Sequence, residues 1–372
     1  MELFTFDRKF LQQDEIDVFN SAIWTERYYG NSEVELVVPL TQDSLKKLAP
    51  GIFLGLLGSD EVMILETMDI KEGKITFTGI SLLSWLNNRF IRTSASHSDK
   101  QWKFGPGTPG WALWAIIWNM CHKDSPYLKG TIPMGVPNPQ QFIIPGLELK
   151  DYDNSGTNLN YVVDYGPVYS ALYDIATTHR IGMQITLESA NDTSYVLGFR
   201  SYKGLDRTSG QTVNPPVRFS PQMDSLTNIH ELQSIAALKT QVYSYISDDP
   251  KGLATLGPGV ANLTGPQYTG FDLRASTISV DNVNEEGLTA QQVLDILNIQ
   301  AASALSNSPV AKLVDGEIVP TNQYKYGIDY NLGDIIEVQG NSQVISTSRV
   351  TEHIRSQDEA GERSYPTVAM LE

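Results

Sequence analysis

Between Tyr326 and Pro366 the chain reads YGIDYNLGDIIEVQGNSQVISTSRVTEHIRSQDEAGERSYP, and no other stretch constrains its fold as much. Val344, Val350 and Ile354 are separated by Ser, Thr, Glu, His and Arg, the period-2 pattern of a half-buried antiparallel strand. Asp358-Glu359-Ala360-Gly361-Glu362 reads as the turn of a strand pair. Just upstream, Asp329, Tyr330, Leu332, Gly333, Asp334, Ile335, Ile336 and Val338 make a second dense pattern. A chain that closes in this way closes as β-structure, and no catalytic residue type stands out in it.

The same alternation opens the chain. Strands are expected at Leu3 to Phe6, Ser32 to Leu40, Ile52 to Leu57, Val62 to Ile70 and Lys74 to Ile80, and the Val34/Leu36/Val38 and Ile75/Phe77/Gly79 sets fit a barrel or a strongly curved sheet. Ser81 to Leu86 follows as a short helix with Ser81 as cap. Gly, Pro, Ser and Asn then dominate until about residue 160, interrupted by a helix opening at Thr108-Pro109, whose Trp111, Trp114 and Trp118 share one face. That face reads as a core stripe, or alternatively as an aromatic platform for a sugar or partner. Gly166 to His179 is a second helix, with Gly182 suited to its left-handed cap, and strands Met183 to Glu188 and Tyr195 to Tyr202 complete an α+β unit. From Val213 onward strands return at Val217 to Phe219, Thr240 to Ile246, Phe271 to Val280 and Val310 to Val319. Helix 289–305 lies among them, capped by Thr289, and Asp248 to Thr269 reads as an exposed loop.

With 372 residues the chain has room for about two or three domains. The division expected is 1–95, a β-domain; 96–212, a Pro/Gly-rich connector with the α+β unit; and 213–372, a second β-domain. An apolar fraction of 41% excludes global disorder. A formal charge of -16 argues against a nucleic-acid binder, whose affinity comes from clustered Lys and Arg. Cys121 is the single cysteine, so no internal disulfide exists and burial must hold the fold. The N-terminal MELFTFDRKFLQQDE lacks the basic and apolar regions of a secretory signal, and the longest apolar stretch, Trp111 to Ile117, is far shorter than a membrane span, so no stable membrane insertion is expected.

Catalytic and cofactor motifs are sought without success. Gly79-Ile80-Ser81-Leu82-Leu83 lacks the second glycine of a nucleophile elbow. The five histidines are scattered singly, which gives no zinc spacing. Asp151-x-Asp153-x-Ser155-Gly156 opens like a calcium loop, yet its twelfth position is Val162, so a local Asx-type turn is the expectation. Gly105-Pro106-Gly107 and Gly257-Pro258-Gly259 precede no Lys-Ser/Thr and read as turns. The carboxylate pairs Asp248-Asp249 and Glu285-Glu286 have loop composition. Arg349, Arg355 and Arg363 lie among Glu352, Asp358, Glu359 and Glu362, the pattern of cross-strand charge pairing or of a subunit contact. No catalytic, cofactor-binding or metal residue is expected.

YKYGIDYNLGDIIEV followed by VTEHIRSQDEAGERSYPT resembles the C-terminal region of the tail-hub, or baseplate-hub, proteins of long-tailed phages. ELVVPL, ILETMDIKEGKITFTGISLLSWLNNRFI, ALYDIATTHRIGMQITL, GLDRTS and VRFSP fall in the order that family shows. The likeness runs from about residue 30 to 366 and is slight over 95–160 and 247–270. It implies a mainly β fold related to the hubs of contractile phage baseplates and type VI secretion spikes: two β-barrel tube-type domains, an intervening α+β region and a helical insertion. It also implies a structural protein of the virion tail tip, not an enzyme, assembled as a homotrimer in the host cytoplasm. Its neighbours would be the distal tail protein ring, the tape measure protein and downstream tip or fibre proteins, with DNA passing through the lumen without specific binding. The acidic charge would suit such a channel, because like charge repels phosphate. The alternative is a receptor- or carbohydrate-binding tail-tip protein using the tryptophan helix or the Pro-rich loop 133–145.

Overall fold

In the computed structural model, residues 1–92, 100–130, 138–191, 194–246, 257–263, 268–280, 289–308, 311–319 and 323–371 are described. The Asp248-Asp249 and Glu285-Glu286 pairs, much of the loop 248–269 and part of 133–145 lie outside them. The chain divides into two compact units: Met1–Asn228 with Gly316–Gln339 and Thr347–Glu372, and Ile229–Asp315 with Gly340–Ser346.

The larger unit opens with β1 (Leu3–Phe6), β2 (Gln12–Ile16), β3 (Ser21–Arg27), β4 (Glu33–Pro39), the short helix α1 (Gln42–Lys47), β5 (Phe53–Leu56), β6 (Val62–Lys71) and β7 (Lys74–Ser81). Val34, Leu36, Val38, Ile75 and Phe77 all enter one core around Trp24, as their alternation requires. Strand β5 is buried along its whole length because it lies between two cores. Phe53 faces a second cluster, while Leu54 and Leu56 face the first. A strand covered on both faces reads as a continuous apolar run, which is why FLGL does not alternate.

After β7 a 3-10 turn spans Leu82–Asn88, and Ser81 does not cap it. Its hydroxyl instead accepts from the Ser32 N–H at 3.1 Å, joining the end of β7 to the start of β4. Then come β8 (Phe90–Ile91), β9 (Gln101–Gly107), α2 (Pro109–Cys121), β10 (Leu147–Leu149), β11 (Leu159–Asp164), β12 (Gly166–Pro167), α3 (Val168–His179), β13 (Gly182–Asn191) and β14 (Ser194–Tyr202). Thr108 caps α2 as expected, its hydroxyl accepting from Trp111 N–H at 3.3 Å. Among the residues α2 buries are Leu113, Ile116, Ile117, Met120 and Cys121, in one core with Leu172 and Ala176 of α3 and Leu197 and Phe199 of β14. The left-handed cap of α3 is Arg180, at φ 57°, and not Gly182. Gly182 is needed for space: a Cβ there would lie 2.3 Å from the Tyr28 ring.

The remaining strands are β15 (Arg218–Phe219), β16 (Leu226–Ser234), β17 (Gln241–Ile246), β18 (Gly259–Asn262) and β19 (Ala275–Val280), then α4 (Ala290–Ser306), β20 (Ala311–Ile318), β21 (Ile335–Gln339), β22 (Ile345–Asp358) and β23 (Gly361–Met370). In the smaller unit β17 lies between β18 and β19, antiparallel to the first and parallel to the second. α4 covers them with Val293, Leu297, Ala301 and Leu305. Its Thr289 and Gln292 form a full capping box. Gly259, expected in a turn, starts β18 beneath α4, where a Cβ would meet the Leu297 backbone at 2.3 Å.

The final strands do not form a domain of their own. The large sheet runs β15-β21-β22-β3-β4-β7-β6-β5-β1-β2, with β23 also paired to β22. Arg355 is the ladder partner of Trp24, and His353 that of Glu26. The ranges 1–95, 96–212 and 213–372 therefore do not mark the compact units, because the last strands complete the sheet begun by the first. The fold is mainly β with an α+β portion, as expected.

Candidate functional site

Strand β22 is where the two ends of the chain meet, and its buried face is not the apolar one its alternation suggests. Ser346, Ser348 and Val350 are buried on one parity and Arg349 and His353 on the other, and the register against β23 shifts between Val350 and Glu352. Such a bulge bends the strand locally. Beyond it the strand presents Arg355 to β3, where its Nη2 lies 2.7 Å from Glu26 Oε1. Ser59 Oγ and Trp24 Nε1 donate to the same oxygen at 2.6 and 3.3 Å, and the Tyr326 hydroxyl donates to Oε2 at 3.2 Å. Glu26, only 6% exposed, thus takes four donors from four segments. A buried carboxylate is tolerated on that condition, since unpaired it would cost several kcal/mol.

His353 stacks on Tyr326 with ring centroids 3.6 Å apart. Burial, with the nearby Arg355 charge, pushes its imidazole down to about 3, so it is neutral in the folded chain. Glu61 lies beside this group, in a cavity of about 450 Å³ lined also by Glu26, Tyr202, Tyr326 and Asp334. Burial first, and the Glu26 charge second, push its carboxyl up to about 8.

The Leu332-Gly333-Asp334 pattern is a second joint. Asp334 accepts from Arg207 Nε at 2.6 Å, Leu205 N–H at 2.7 Å and Asn331 N–H at 3.0 Å. Glu337 accepts from Arg218 Nε and from the Ser209 hydroxyl, both at 2.7 Å. Burial raises the Glu337 carboxyl, but these bonds outweigh it and leave the group below its ordinary range. Gly333, at φ 87°, brings its backbone against Tyr28, and Arg349 donates to its carbonyl at 2.6 Å. Arg349 and Arg355 are therefore bound to other segments, and Glu352 pairs with Arg27 of β3 at 2.7 Å. The expected cross-strand charge pairing is present, and it runs from β22 to β3 through Glu352–Arg27 and Arg355–Glu26.

The tryptophan helix departs from a core stripe. Trp111 packs against the core, but Trp114 and Trp118 are half-buried, stacked at 5.4 Å with planes 6° apart, and Trp118 stacks in turn on His122 at 4.5 Å. Trp114 borders an open groove of about 1020 Å³. Beside it the Asp153 carboxylate accepts from Ser155 N–H and hydroxyl at 3.2 and 2.7 Å, the local turn expected of that segment. Cys121 is buried, and burial pushes its thiol up to about 12. Among the described residues no three His, Cys, Asp or Glu side chains are grouped as a metal site would need, and no helix is long and apolar enough to cross a membrane.

The family described as Siphovirus ReqiPepy6 Gp37-like protein matches residues 1–368. No curated protein matches the chain. Among solved structures, the tail protein from Neisseria meningitidis MC58 has a TM-score of 0.51 at 11% identity, over 100% of this chain and 96% of that one. The 43 kDa tail protein of prophage MuSo2 from Shewanella oneidensis has a TM-score of 0.50 at 12% identity, over 99% and 98%. At such identity the likeness is one of fold, and the fold is that of phage tail proteins.

Removing the Arg355 side chain (Arg355→Ala) leaves Glu26 without its cation, and chemical unfolding should show a loss of about 3–5 kcal/mol. Arg363→Ala, at an exposed position of the hairpin, should stay within about 0.5 kcal/mol. Equal effects would contradict the assignment of Arg355 to Glu26. A second expectation concerns pH. Folded Glu61 holds its proton up to about 8, whereas the ordinary value is 4.5, so the folded state binds more protons in that window and loses stability as pH rises through it. Glu61→Gln removes this loss. Its melting temperature should exceed that of the wild type by about 4 °C or more at pH 8 and converge with it at pH 4. His353 is common to both chains and cancels in the comparison.

Proposed function

From the premise that the chain belongs to the Siphovirus ReqiPepy6 Gp37-like protein family, we propose that it is the structural tail hub of a long-tailed phage. Three copies form a ring at the tail tip. The ring joins the hexameric tail tube and distal tail ring to the tip proteins, and surrounds the channel taken by tape measure and DNA. A three-copy ring sharing its axis with a hexameric ring would set each copy against two of the six subunits above.

The observation that carries the reading is the weave of β22 and β23 into the sheet of β1 to β7. A hub carries mechanical load between a tube and a tip, and a sheet tied by both ends of its chain resists being drawn out from either. The polar joints at Glu26 and Asp334 support the same reading: buried charges cost stability unless fully partnered, and here they fix which strands meet. The formal charge of -16 supports a channel role, since a wall of like sign lets phosphates pass without adhering. The hub performs no chemical step, and its work is positional.

Mass measurement tests the assembly. Mixed with a purified hexameric distal tail ring, the chain should add three times its 41.2 kDa to each ring. An addition of one or six copies, or none, would contradict a trimeric hub.

A further inference from the structure

The groove beside α2 combines two kinds of surface in its lining. Trp114 and Tyr152 contribute aromatic rings with centroids 6.2 Å apart and planes tilted by 57°. Trp118, stacked behind Trp114, holds that indole in place. The polar part divides into groups already engaged and groups that are not. Glu188 takes both Lys150, at 2.8 Å, and Arg200, at 2.5 Å, while Asp153 is occupied by Ser155. Asp151, Asn154 and Lys203, together with the Trp114 indole N–H and the Tyr152 hydroxyl, make no side-chain hydrogen bond among the described residues.

The charges narrow the ligand. Lys150, Arg200 and Lys203 balance Asp151, Asp153 and Glu188, so the lining is neutral on a chain whose formal charge is -16. A polyanion finds no excess of cations here, and a polycation no excess of anions. An apolar ring face beside idle donors and acceptors fits a molecule with one face of C–H bonds and an edge of hydroxyls, which is a pyranose. A volume of about 1020 Å³ is too large for one sugar ring and suits several in a row. We propose that this groove binds a neutral oligosaccharide, with Trp114 and Tyr152 as stacking surfaces and Asp151, Asn154 and Lys203 as hydrogen-bonding partners. The proposal stands independently of the trimeric hub.

The full chain is titrated with chitotetraose, maltotetraose and α-1,6-mannotetraose, and with tetragalacturonate as the charged control, by tryptophan fluorescence and calorimetry. At least one neutral tetrasaccharide should bind with a dissociation constant below about 1 mM, and Trp114→Ala should weaken it at least about tenfold. Trp114→Phe keeps a ring and the fold, and should retain binding within about threefold. Asp124→Ala, outside the groove, should leave it unchanged. Absence of binding by all three neutral sugars at about 10 mM, equal affinity of Trp114→Ala and wild type, or preference for tetragalacturonate would each overturn the proposal.

Discussion

The pairing of β22 with β3 is the interaction on which the rest of the structure depends. It joins residues some 330 positions apart along the chain, and the entropy of closing such a loop is recovered only if the ladder is specific. Specificity comes from charge as much as from hydrogen-bonded backbone. Arg355 reaches Glu26 two residues along β3 from its own ladder partner, and Glu352 reaches Arg27. A one-residue slip would strand Glu26 in an apolar setting, at a cost no surface contact could offset.

Much of the larger unit follows from that constraint. With β22 fixed, the 331–334 turn is carried to Tyr28, and Gly333 is the residue that permits the approach. Asp334 then holds Arg207 and the 205 backbone, which sets the path of the chain leaving β14. The apolar burial is shared between the core around Trp24 and Phe77 and the larger one around α2 and α3. The polar joints decide which strands share it.

Where side-chain pattern alone governs, the sequence was readable. Val34 to Val38, Ile75 to Phe77 and the Thr289-capped α4 are each determined by periodicity or by a local cap, and the structure places them as expected. Strand β3 escaped because its inward set is Ala22, Trp24 and Glu26, and a buried carboxylate interrupts the apolar alternation that marks a strand. Strand β2, QQDEI, is exposed but for Ile16 and carries almost no signal. The joining of the two chain ends was equally hidden, since its evidence is a match between distant residues and not a local pattern. The bulge after Val350 likewise shifts the register of β22 against β23 without altering its composition. Of the groove, the three tryptophans were visible at helical spacing, but which of them face outward depends on how α2 packs against α3 and β14.

A tail hub lies on the tail axis. The most direct measurement is a reconstruction of intact particles carrying a small label at Ile328, which is 72% exposed. A hub predicts three labels around the tail axis at its tip, between the tube and the tip proteins. Labels at the tail periphery, or distributed along the tube, would contradict it.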